Sequence, residues 1–138
     1  MRLMLDTCVV IDLLTDYDNL ERGALAIVSD PANVLVASFE TMRELVVHYN
    51  NKRLLPKYWK SAKEMIDFVE DDLEIDFLPL RPQVGRTYAN LRLNEEQEHH
   101  DPSDHIIISH AIAERITLLS SDTRFWYYRD QGLDLIEY

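Results

Sequence analysis

The sequence predicts a three-layer α/β/α fold with a central, mainly parallel sheet, organised as a single domain over residues 1–138. Short apolar runs alternate with segments of helical periodicity, the pattern of strand–helix–strand units. Two of these runs, Leu3-Met4-Leu5 and Thr117-Leu118-Leu119, are too short for helices and read as strands buried on both faces. Aspartate and threonine come next in each case, as Asp6-Thr7 and, after two serines, Asp122-Thr123. Open α/β sheets place their ligand crevices beyond the carboxyl ends of the strands, so the repeated pattern points to one acidic site.

The remaining elements follow in order. Thr7 to Leu14 is a short helical segment, Asp16 to Asn19 a turn, and Leu20 to Ser29 a helix stopped before Pro31. Val34-Leu35-Val36-Ala37 is the second strand. Ser38 fits an N-cap, with helix running to about Arg53. In that helix Met42, Leu45, Val46 and Tyr49 form the i, i+3, i+4, i+7 core stripe, while Thr41, Glu44 and His48 form a polar line on another face. Pro56 fits the first turn of the next helix, to about Val69, and the acidic Glu70-Asp71-Asp72 follows. Ile75 to Leu80 reads as a third strand interrupted by Pro79, Pro82 to Leu93 as a helix, and Asn94 to His100 as a polar loop. Asp101 to Arg115 is a helix, Thr117 to Leu119 a strand, and Leu133 to Ile136 a last strand at a sheet edge. With three glycines and five prolines, the chain shows no linker and no second domain.

Composition narrows the function classes. Apolar residues make up 46% of the 138, enough for a packed core and too many for a disordered chain. No apolar run approaches the roughly 20 residues of a membrane span, and no signal peptide is expected. Cys8 is the only cysteine, which excludes an intrachain disulfide and fits a reducing, cytoplasmic setting. The net charge of -11 argues against general nucleic-acid binding. The charge is uneven, however. From Arg43 to Lys63, six basic residues (Arg43, Lys52, Arg53, Lys57, Lys60, Lys63) face Glu44 as the only acid. That run is either a pair of solvated helix faces or a local basic surface.

Among candidate site residues, Asp6 and Asp122 each also fit an N-cap. Asp101-Pro102-x-Asp104 is an ordinary helix start, with Asp101 as N-cap and Pro102 at the first helical position. Asp104 differs, because it shares a face with Ile107, Ile108 and Ala111. A carboxylate in line with a buried face is costly unless it is paired or holds a metal. Glu44 taken alone reads as a solvated helix residue, with Glu40 a nearby competitor. Cys8 reads as a small buried residue rather than a nucleophile. His99-His100 does not complete a tetrahedral zinc set. Phe125 to Tyr128 could stack on bases, but packing is the expected role.

Asp6-Thr7 after the first strand, Glu44-Leu45 on the helix after the second, Asp101-Pro102-x-Asp104 opening a late helix and Ser121-Asp122-x-x-Phe125 after the next strand resemble, in order and spacing, the PIN domain. More narrowly, the set is similar to the VapC-type ribonuclease toxins of toxin–antitoxin pairs. The resemblance implies metal-dependent RNA cleavage at Asp6, Glu44, Asp104 and Asp122, holding Mg²⁺ or Mn²⁺, with Thr7, Ser121 and Asp101 in support. It implies an RNA substrate, a cognate antitoxin and a homodimer. Within that reading, Arg43, Lys52 and Arg53 are the expected RNA contacts. Ser103 and His105 stand where many relatives carry Phe and Arg, so no arginine–phosphate contact is expected there. Hard cations prefer carboxylate and water oxygens, which is the physical reason for four acids. The alternatives are a non-catalytic PIN-like binding module, a housekeeping RNA-processing nuclease and, last, a phosphotransfer protein using Asp6. Cys8 stands where an Asp-x-Asp phosphohydrolase needs its second acid.

Overall fold

The computed structural model describes residues 1–54 and 58–138. The elements are β1 (Arg2–Leu5), α1 (Thr7–Thr15), α2 (Arg22–Ser29), β2 (Val34–Ser38), α3 (Phe39–Asn50), α4 (Ala62–Asp71), β3 (Asp76–Leu78), α5 (Pro82–Asn90), α6 (Pro102–Glu114), β4 (Thr117–Ser120) and β5 (Leu135–Glu137). Short 3-10 helices cover Tyr17–Asn19 and Thr123–Gln131. The sheet order is β3-β2-β1-β4-β5, with every pairing parallel. The connection from β1 runs to one side and β4 closes on the other, so β1 marks the switch point where such sheets open a crevice.

Side-chain alternation along the strands builds the three layers. Leu3, Leu5 and Leu119 face one apolar cluster with Val9, Val10, Leu45, Met65 and Val69. Met4 and Leu118 point the other way, onto Ile107, Ile108, Phe125 and Tyr128. Burying each such side chain contributes about 1.5–3 kcal/mol. No helix among the described residues is long and apolar enough to cross a membrane.

Several boundaries differ from the sequence expectation. Helix α3 stops at Asn50, and Lys52 beyond it takes a left-handed φ of 58°. Pro56 lies outside the described residues. Helix α4 begins at Ala62, where Ser61 Oγ accepts the Glu64 N–H at 3.1 Å, the Ser-x-x-Glu pattern that opens helices. Strand β3 ends at Leu78, because Pro79 has no N–H to continue the ladder. Helix α2 starts two residues later than expected, at Arg22, and α5 ends at Asn90.

His110 ties α6 to the start of α3. It is fully buried, and its Nδ1 lies 2.8 Å from Ser38 Oγ, which also accepts the Glu40 N–H at 3.1 Å. Burial, reinforced by Arg81 and opposed by Glu114, holds its pKa below the ordinary histidine value. A histidine buried neutral favours unfolding once the unfolded chain can protonate, so its contribution is lost as pH falls below about 6.5. His110→Gln keeps a polar atom for Ser38 and does not titrate. Its stability relative to wild type should rise as pH drops from about 7.5 to about 5, read by urea denaturation. A difference independent of pH would exclude this role.

Candidate active site

Asp6 ends β1 and begins α1. Its Oδ1 accepts the Thr7 N–H at 2.8 Å as N-cap, and its backbone N–H donates to Leu119 O of β4 at 3.0 Å. Its Oδ2 accepts the Ser120 hydroxyl at 2.7 Å and the Cys8 thiol at 3.4 Å. Asp6 is only 4% exposed. Burial pushes its pKa up to about 6, Asp104 adds to the rise, and the hydrogen bonds from Ser120, Thr7 and Cys8 oppose it.

Glu44 projects from α3 toward the same place. Its Oε1 accepts the Thr7 hydroxyl at 2.6 Å. Thr7 Oγ1 also lies 3.0 Å from Thr41 Oγ1, and since Thr7 spends its one hydroxyl proton on Glu44, Thr41 is the donor in that pair. Burial pushes Glu44 up to about 7, with the charges of Asp104, Asp101 and Asp6 adding and Thr7 opposing.

Asp104 and Asp122 complete the group. Asp104 Oδ2 sits 2.9 Å from His99 Nε2 and 3.9 Å from an Arg124 nitrogen. Asp122 caps the 3-10 helix through the Arg124 N–H at 2.9 Å. The Arg124 guanidinium also clamps it, Nε to Oδ1 at 3.0 Å and Nη2 to Oδ2 at 2.7 Å. Burial alone would raise Asp122, but these contacts outweigh it and hold its pKa below the ordinary aspartate value.

Asp6, Glu44, Asp104 and Asp122, with Thr7, Cys8, Ile11, His48 and Ser121, line one cleft of about 410 Å³. The four acids come from the ends of β1 and β4, the middle of α3 and the first turn of α6. Asp101 does not line the cleft; it caps α6 by accepting the Ser103 N–H at 3.0 Å. Arg43, Lys52 and Arg53 also lie outside the lining. Arg43 donates to Glu40 at 2.8 Å through Nε and to the Ser103 hydroxyl at 2.7 Å, joining α3 to α6. Glu40 is buried in that junction rather than in the cleft. Cys8 is pushed up to about 12 by burial and by Asp6, so its thiol stays protonated.

Three contacts were not legible in the sequence. Ser120, rather than Ser121, holds Asp6, while Ser121 faces Cys8 at 3.8 Å. Arg124 pairs Asp122. His99 reaches Asp104, and ligand atoms of His99, Asp104 and Asp122 lie within 4.8 Å of one another. The four cleft acids Asp6, Glu44, Asp104 and Asp122 offer the carboxylate oxygens that a hard divalent cation takes, and burial is the main reason that Asp6 and Glu44 are raised.

Residues 3–130 match the family model described as PIN domain. The chain belongs to the PIN-domain family. Solved structures agree with that fold. VapBC2 from Rickettsia felis, bound to a DNA fragment from its promoter, aligns at 20% identity over 99% of this PIN domain and 98% of that chain, TM-score 0.74. VapBC-1 from nontypeable Haemophilus influenzae aligns at 24% identity over 99% and 98%, TM-score 0.71. FitAcB from Neisseria gonorrhoeae aligns at 19% over 98% and 96%, TM-score 0.64. No curated protein sequence matches this PIN domain.

Proposed function

We propose that this PIN domain is a divalent-metal-dependent endoribonuclease and the VapC-like toxin of a toxin–antitoxin pair. The observation that carries the reading is the convergence of Asp6, Glu44, Asp104 and Asp122 on one cleft. Those four would hold Mg²⁺ or Mn²⁺. When bound, the cation supplies a water of lowered pKa and stabilises charge developing on the phosphodiester. The chain's own groups orient the acids: Ser120 and the Thr7 N–H fix Asp6, the Thr7 hydroxyl fixes Glu44, and Arg124 keeps Asp122 ionised.

RNA would approach over the end of α3. Lys52 and Arg53 are exposed there, and Arg53 acts electrostatically on His48, which lines the cleft. Arg43 sits nearer the opening of α6 and already carries Glu40 as a partner. The toxin reading adds a cognate antitoxin, a homodimer and a cytoplasmic location. It is supported by the fold shared with the VapBC and FitAcB structures.

The test is cleavage of a structured RNA with Mg²⁺ or Mn²⁺ by the wild type, Asp6→Asn and Asp122→Asn. Cleavage by the wild type alone is expected, with each variant slower by at least a hundredfold. Equal cleavage by all three would reject the assignment. No cleavage by any of them, together with no divalent-ion binding in calorimetry, would favour a binding module instead.

A further inference from the structure

His99 lies in the segment between α5 and α6 that composition marks as a solvated loop, yet its side chain is fully buried. Its ring packs against Phe125 with centroids 5.4 Å apart and against His105 at 4.8 Å. Both ring nitrogens are engaged. Nδ1 lies 3.0 Å from the Tyr128 hydroxyl and Nε2 lies 2.9 Å from Asp104 Oδ2.

The tautomer follows from hydrogen-bond accounting. The Asn94 backbone N–H donates to the Tyr128 oxygen at 3.1 Å. Tyr128 is fully buried, and His99 Nδ1 is the acceptor its own hydroxyl proton reaches among the described residues. The Tyr128 hydroxyl therefore donates to Nδ1, and the Nε2 proton points at Asp104. The chain of donors runs from Asn94 N–H to Tyr128 O–H to His99 N–H to the Asp104 carboxylate.

We infer that His99 is a positioning residue for Asp104. The inference rests on the nuclease reading, which makes Asp104 a metal ligand. An N–H fixed on Oδ2 sets the rotation of the carboxylate and leaves Oδ1 free to turn toward the cleft. His99 thus acts through Asp104 and is not itself a ligand, because its Nε2 lone pair is occupied by the proton. A ligating carboxylate held by an outer hydrogen bond typically loses 10–100-fold in metal affinity when the partner is removed. The loop from Asn94 to His100 and the 3-10 helix are then parts of the site rather than its surroundings.

Mn²⁺ titration followed by electron paramagnetic resonance, without RNA, tests this. His99→Leu should weaken binding at least tenfold. His99→Gln, whose amide N–H can reach the position of Nε2, should restore most of the loss. Tyr128→Phe, which removes one oxygen from the relay, should weaken binding severalfold and serves if His99→Leu does not fold. Imidazole ¹⁵N shifts of the wild type should show a proton on Nε2 and none on Nδ1. Equal Mn²⁺ affinity in wild type and His99→Leu, or no rescue by Gln, overturns the inference alone. A proton on Nδ1, or ¹⁴N coupling from His99 to bound Mn²⁺, overturns it in favour of direct ligation. Absence of Mn²⁺ binding by the wild type would overturn the nuclease reading and this one with it.

Discussion

Mn²⁺ affinity should fall about a hundredfold when the pH is lowered from about 7.5 to about 5.5. Binding requires ionised carboxylates, so protons compete with the metal. The Asp6 pKa is raised to about 6 and that of Glu44 to about 7. Near pH 7.5 Asp6 is ionised and Glu44 mostly so, and little is lost. Near pH 5.5 both are largely protonated, and linkage gives a loss of about fourfold from Asp6 and about 25-fold from Glu44. Carboxylates with ordinary pKa values, about 3.9 to 4.3, would produce almost no change over that interval. Calorimetric titration of the metal-free protein with Mn²⁺ at several pH values reads the slope directly. A flat profile would mean that neither Asp6 nor Glu44 ligates.

Asp6→Asn should stabilise the metal-free protein at pH 8 while abolishing metal-dependent chemistry. The sign follows from the raised pKa. Asp6 contributes its full stability below the unfolded value of about 3.8, and that contribution is lost as pH rises through about 6. At pH 8 the wild type carries a buried charge that costs on the order of 2–3 kcal/mol relative to the protonated form. Asparagine removes the charge and keeps the Thr7 N–H on its oxygen; toward Ser120 the hydrogen bond reverses, the amide donating to Oγ, and the weak Cys8 thiol contact is given up. The melting temperature should therefore exceed that of wild type by several degrees at pH 8 and match it near pH 4. Excess Mn²⁺ should raise the wild-type melting temperature and leave the variant's unchanged. Destabilisation at every pH would show that the carboxylate is held favourably in the apo fold.

Most of the sheet was legible in the sequence. Strands β1, β2 and β4 are short, nearly continuous apolar runs because both faces are covered, and such runs are hard to mistake for surface elements. The start of α6 was legible because Asp101-Pro102 combines a capping side chain with a fixed φ. Asp104 stood out because it interrupts an apolar stripe, and in the structure Ile107, Ile108 and Ala111 of that stripe are buried. The four acids could be grouped because each sits at a strand end, a helix start or a helix line whose direction the fold class dictates.

The rest depends on contacts between distant segments. His99 lies among Asn94, Glu95, Glu96, Gln97 and Glu98, a polar neighbourhood that signals solvent. Its burial depends on His105 and on Phe125 and Tyr128, the last two nearly thirty residues away. Those aromatics come from the 3-10 helix Thr123–Gln131, whose tighter pitch leaves no 3.6-residue stripe to read. Glu40 and Glu44 are one turn apart and chemically alike. What separates them is Arg43 and Ser103 on one side and Thr7 on the other, contacts that exist only after folding.

The pairing of β1 with β4 also has a kinetic meaning. Asp6 and the Ser120 hydroxyl that holds it are 114 residues apart along the chain. During vectorial synthesis on the ribosome, β1 has only β2 beside it until β4 leaves the exit tunnel. A prematurely terminated product that lacks β4 also lacks Asp122 and the aromatic cover of His99, so it would hold only part of the acidic group and leave the middle strand of the sheet as an edge.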